Sequence, residues 1–173
     1  KSFKNVRVLP PINALPESDF TAKMLLENLP AGQYIFYRVK FRDLSHFDIV
    51  SEPVIGRFRT APADRRDVSF VWGGDVAGQG FGINADDGGM FTFATMRKHN
   101  PDFLLHSGDP IYADGVITAE TKTVDGNIWK KTTIGPETAK AAETLDECRA
   151  ARQYHRTDPN IPALTRQEPR VGR

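Results

Sequence analysis

Apolar and polar residues alternate from Tyr34 to Phe41: Ile35, Tyr37, Val39 and Phe41 interleave with Tyr34, Phe36, Arg38 and Lys40. A period of two predicts a strand with one buried face, because successive side chains of an extended chain point to opposite sides. VIGRFRT at 54–60 and FTAKMLLENL at 20–29 predict further strands, separated by Leu-Pro-Ala-Gly and the polar RDLSHFD. Residues 20–60 therefore read as sandwich-like β structure.

The pattern changes after TAPADRRD at 60–67. DVSFVWGG is a short apolar run ending in glycines, GGMFTFATMRKHN has the length for about three helical turns, and PDFLLHSG is a second apolar strand opened by Pro101. AAETLDECRAARQY reads as a helix. The remainder, HRTDPNIPALTRQEPRVGR, is rich in Pro and Arg, lacks a sustained period and predicts a loosely ordered tail. The expected fold class is α+β, with a partial β-sandwich domain over 1–62 and an α/β domain over 63–173.

Strand, helix and strand in succession make a βαβ unit, with parallel strands and a right-handed crossover. Asp75 and Asp109 each follow a glycine at the carboxyl end of one of these strands, hence at the same sheet edge. If the strands are neighbours, about 4.8 Å apart, the carboxylates converge. Two close anions repel unless one protonates or a cation joins them. Their oxygens suit hard cations such as Mg²⁺, Ca²⁺, Mn²⁺ or Fe³⁺. Tyr112, three positions after Asp109, reaches the same point if its loop folds back, and a phenolate is a good ligand for ferric iron. Taken singly, each Gly-Asp fits a turn or helix cap and Tyr112 an ordinary half-buried aromatic. Taken together within a βαβ frame, Asp75, Asp109 and Tyr112 point to a metal site.

Gly78-Gln79-Gly80-Phe81-Gly82 fails the dinucleotide fingerprint G-x-G-x-x-G, whose third glycine would fall at Ile83. A phosphate-ester cradle and a flexible turn both remain open for this run. Asn84 either binds a substrate phosphate oxygen or stabilises its own turn. The formal net charge of +1 over 173 residues gives no overall pull towards nucleic acid or an anionic membrane. Cys148 is the single cysteine, so no disulfide forms within the chain. No apolar stretch approaches the roughly 20 residues that cross a bilayer, and KSFKNVRVLPP lacks the apolar core of a signal peptide.

AGQYIFYRVKFRDL, SEPVIGRFRTAP, WGGDVAGQGFGIN, HSGD-x-IYADG, and DGNIWKK followed by AETLDECRA resemble the PhoD-like alkaline phosphatases of the calcineurin-like metallophosphoesterase superfamily. The resemblance implies a fibronectin-III-like β domain followed by the first βαβ unit of an α/β/β/α metallophosphoesterase domain. It implies a hydrolase acting on phosphate esters with Fe³⁺ and Ca²⁺, or other divalent metals, secreted or periplasmic and monomeric when intact. Asp75 would be the first metal ligand, Asp109 the bridging carboxylate and Tyr112 the ferric ligand, with no catalytic residue beyond these. Asp75-Val76-Ala77 lacks the histidine of the wider superfamily's Asp-x-His, as in the purple-acid-phosphatase-like variant of the site. Pro110 follows Asp109 where the family has a small polar residue, and His155-Arg156 stands where an Asn-Leu-like pair is expected. The family's Asn-His motif and later histidines have no counterpart in His46, His99, His106 or His155. The β domain shows about three or four strands, against the roughly seven of such a sandwich. A fragment, incomplete and inactive alone, is therefore expected. A non-catalytic β-sandwich binding module carrying a degenerate phosphatase remnant is the alternative, and a nucleotide-binding α/β protein a weaker third.

Overall fold

A computed structural model describes residues 6–76, 82–131 and 135–166. The glycine run from Gly78 to Phe81, and with it the choice between cradle and turn, lies outside them. The chain forms two compact units, Lys1–Pro30 and Ala31–Arg173.

In the first unit, Leu15 and Thr21 form an isolated antiparallel bridge around the 3₁₀ turn Pro16–Ser18, and Arg7 donates to the Glu27 carbonyl at 2.9 Å. The strand expected over 20–29 does not form. Beyond Thr21, no residue of that run belongs to a strand or bridge, and Leu25 is 81% exposed. An apolar run becomes a strand only beside another strand edge, and this one finds none among the described residues.

The second unit is a mixture of short sheets and helices, an α+β arrangement. β1 (Tyr34–Val39) and β2 (Val54–Arg59) pair antiparallel with Tyr34 opposite Arg59 and Val39 opposite Val54. Gly56 is buried opposite Tyr37, whose ring fills the space a side chain at Gly56 would need. The buried face expected of β1 is only half realised: Ile35 and Tyr37 are half-buried, and Val39 and Phe41 are exposed.

β3 (Phe70–Gly73) and β4 (Phe103–His106) pair parallel, from Phe70 opposite Phe103 to Gly73 opposite His106, with α1 (Phe91–Lys98) between them in sequence. The βαβ unit is present, but its helix is one turn shorter than expected. Gly88 and Gly89, at φ 89° and 73°, keep the chain non-helical before Met90, and Asn100 at φ 48° followed by Pro101 ends it. Continuous apolar runs such as those of β3 and β4 predict strands covered on both faces. Val71 and Leu104 are half-buried on one face, where the Met96 side chain approaches Gly73. On the other, Phe70 stacks on Phe103 at 5.3 Å, yet Phe70, Trp72, Phe103 and Leu105 are all exposed. Two strands with a single helix have one covered face, so the continuous apolar run overstates burial.

β5 (Glu120–Lys122) and β6 (Ile128–Lys130) form an antiparallel hairpin. α2 (Leu145–Arg156) starts at Thr144, whose hydroxyl accepts the Glu147 N–H while the Glu147 carboxylate accepts the Thr144 N–H, a reciprocal cap. The loosely ordered tail is a correction: α2 continues to Arg156 and α3 (Asn160–Thr165) follows, burying Ala163 and Leu164. Asp158, fully buried, accepts the N–H groups of Met90 (2.7 Å), Asn160 (2.8 Å) and Ile161 (3.1 Å). Asn160 in turn donates to the Gly88 carbonyl at 2.7 Å. One carboxylate thus caps α3 and ties it to the start of α1. Ile83, Ile117 and Tyr154 form the buried apolar cluster, with Met90 against it.

Candidate metal centre

β3 and β4 stop at Gly73 and His106, but the chains stay zipped beyond them. Ser107 donates its N–H to the Gly73 carbonyl at 3.0 Å, Asp75 to Gly108 at 3.2 Å, and Val76 to Asp109 at 2.9 Å. Both aspartates then turn out of the ladder with left-handed backbones, Asp75 at φ 52° and Asp109 at φ 47°. Aspartate tolerates this region better than most side chains, and non-glycine residues held there cluster at functional sites. Gly108, at φ 129°, lets the second turn form.

The two carboxylates therefore lie at one sheet edge, and the Tyr112 phenol is turned towards both. Its hydroxyl donates to Asp75 Oδ1 at 2.8 Å and lies 3.4 Å from Asp109 Oδ2. The hydrogen bond to Asp75, with desolvation and the two negative charges, pushes the phenol pKa up to about 12. Among the described residues no Lys, Arg or His forms an ion pair with Asp75 or Asp109. Among the described residues, a single phenol proton is shared between two exposed carboxylates. A hard cation entering among these oxygens would displace that proton and do the same work better, so the donor set fits one.

The four histidines do not join the cluster, and no group of three or more His, Cys, Asp or Glu side chains converges among the described residues. His106 ends β4 half-buried, and His155 is buried in α2. Asn84 is buried, donating to Asp87 Oδ2 at 2.8 Å and accepting the Asp87 N–H at 3.1 Å. One donor and one acceptor of its amide are thus engaged within its own turn. Sequence reasoning missed the part of α2 in this region. The spacing of Ala151, Tyr154 and His155 on one helical face was its signal, since all three are buried.

Residues 70–172 match the family model for PhoD-like phosphatase, and residues 1–62 match the model for the PhoD-like phosphatase N-terminal domain. The chain belongs to the PhoD-like phosphatase family. No curated protein and no solved structure matches it. The PhoD-like phosphatase segment opens at Phe70, the first residue of β3, and contains Asp75, Asp109 and Tyr112 together with the helices behind them. A phosphatase-type function follows from this membership. Among the described residues no helix is long and apolar enough to cross a membrane.

Proposed function

We propose that this PhoD-like phosphatase is a metal-dependent phosphate ester hydrolase whose metal ligands include Asp75, Asp109 and Tyr112. The observation that carries the reading is the Tyr112 hydroxyl lying between two carboxylates at the ends of adjacent parallel strands, with no ion-pair partner for either among the described residues. Bound cations, with Fe³⁺ and Ca²⁺ as the favoured pair and other divalent ions as substitutes, would supply charge stabilisation for the transferring phosphoryl group. Asp75 and Asp109 hold their carboxylates in place through the ladder contacts that continue β3 and β4. Tyr112 would help to hold a cation through its phenolate oxygen, its proton passing to solvent. Three side chains would fill only part of the sphere of a six- to eight-coordinate ion, so the 173-residue chain alone would hold it weakly and turn over little. We further propose a partial fibronectin-III-like β domain over 1–62, the N-terminal part of a metallophosphoesterase domain over 63–173, a secreted or periplasmic site of action and a monomeric state when intact, all on the family likeness.

Titrating the chain with Mn²⁺ and Ca²⁺ and following hydrolysis of a chromogenic phosphate monoester tests the reading. Cation binding that is lost in both Asp75→Asn and Asp109→Asn is expected. Binding by neither ion, or binding indifferent to both substitutions, refutes it and leaves a non-catalytic binding module.

A further inference from the structure

We propose that Tyr154 and His155, neighbours on the buried face of α2, are positioning residues that set the separation between the segments carrying Asp75 and Tyr112. The inference rests on the carboxylate and phenol cluster being the functional site.

Neither segment is held by its own turn alone. Ile83, eight positions after Asp75, donates its N–H to Tyr154 Oη at 2.8 Å. Ile83 is fully buried and Tyr154 only 2% exposed, so water offers little competition for this bond. Gly82, at φ 58°, is pressed against the same wall. A Cβ there would come within 2.7 Å of Ile117, 2.8 Å of Tyr154 Oη and 2.9 Å of Lys131, so glycine is required by both backbone and space.

The Tyr112 segment rests on the adjoining part of α2. It is tied at both ends, by Ala142 donating its N–H to the Ala113 carbonyl at 2.7 Å and by Ile117 donating to Thr138 at 2.9 Å. Ile117 packs on Tyr154 in the apolar cluster. Tyr112, Ala151, Tyr154 and His155 together line a cavity of only about 10 Å³, no more than a single water needs, so little space separates the loop from α2 there.

His155 is not an ordinary packing residue. It is 3% exposed, and its Nδ1–H donates to the Ala151 carbonyl at 3.0 Å, which fixes the tautomer and leaves Nε2 as an acceptor. Nε2 is buried without a partner among the described residues. An apolar side chain would fill this place at lower cost. Two adjacent α2 residues thus reach both loops of the cluster, one by a hydrogen bond and the other by the wall it forms.

The test uses the metal-free 173-residue chain labelled with ¹³C at tyrosine Cζ, which gives four resonances. Tyr112 is assigned by Tyr112→Phe, and its displacement in Asp75→Ala, which removes the acceptor, marks loss of the hydrogen bond. Tyr154→Phe and His155→Leu are each expected to move the Tyr112 resonance at least halfway to that position. Arg66→Gln, at the opposite end of the β3–β4 pair, should lower the thermal midpoint and leave the resonance in place. A Tyr112 resonance unmoved by either α2 substitution, or moved equally by Arg66→Gln, overturns the proposal. If Tyr154→Phe does not fold, His155→Leu decides alone by the same criterion. Failure of the metal reading shows separately, as a Tyr112 resonance that Mn²⁺ does not broaden in the wild-type chain.

Discussion

The β3–β4 pair carries carboxylates at both ends of its length, and the two ends treat negative charge in opposite ways. At the amino-terminal end Asp102 is saturated. Arg66 donates to both its oxygens at 3.0 Å, the Ser69 N–H donates at 3.1 Å, and Arg59 stands 3.8 Å away. The Arg66 hydrogen bonds, chiefly, hold the Asp102 carboxyl below the usual carboxylate range. At the carboxyl-terminal end Asp75 and Asp109 share one phenol proton and have no cationic partner among the described residues. A neutralised carboxylate serves the fold by joining β2, the residues before β3 and β4. An unneutralised pair gives the fold little and is poised to take a cation.

The largest effect should fall on cation affinity. Asp75→Asn or Asp109→Asn is expected to weaken Mn²⁺ binding by at least about 100-fold, beyond the roughly 10- to 100-fold typical of residues that only support ligands. Asp102→Asn should leave it unchanged. Calorimetric titration of the three variants reads the difference directly, and equal losses at both ends would erase the distinction between them.

Stability should show the reverse order. Asp158→Ala removes the acceptor of three backbone N–H groups in a fully buried place and should cost about 2–4 kcal/mol by denaturant unfolding. Asp102→Ala should also destabilise, whereas Asp75→Asn and Asp109→Asn relieve like-charge repulsion and should be neutral or mildly stabilising.

Smaller effects follow pH. Glu147 is held down to about 2 by its contact with Lys140 at 2.6 Å and by the N–H groups of Glu143 and Thr144. A depressed carboxyl stabilises the fold above its unfolded value, about 4.3, and that contribution fades as pH falls towards about 2. Burial lowers the His155 pKa. Its neutral form is favoured in the fold, so stability is complete above about 6.5 and declines as pH drops through the acid side. Glu147→Gln should flatten the lower window and His155→Leu the upper one in thermal melts across pH.

The cluster was legible because it depends on local order: an apolar run, a Gly-Asp step, and a tyrosine three residues on. Strand direction then brings Asp75 and Asp109 together without further information. The α3 region was not legible, since its order comes from Asp158 and Asn160 reaching back to residues 88–90. No period in HRTDPNIPALT announces a bond across some 70 positions. The opposite error occurred at 20–29, where an apolar run promised a strand that needs a neighbour to exist. The saturated state of Asp102 was equally hidden, because Arg66 and Ser69 meet it only once β3 and β4 are parallel.

The most direct measurement is an optical titration of the chain with a chelated ferric salt, following the visible phenolate-to-iron absorption. The account predicts one such band in the wild-type chain, lost in Tyr112→Phe, strongly weakened in Asp75→Asn and Asp109→Asn, and intact in Asp102→Asn. A band that persists in Tyr112→Phe, or no band in the wild-type chain, would contradict it.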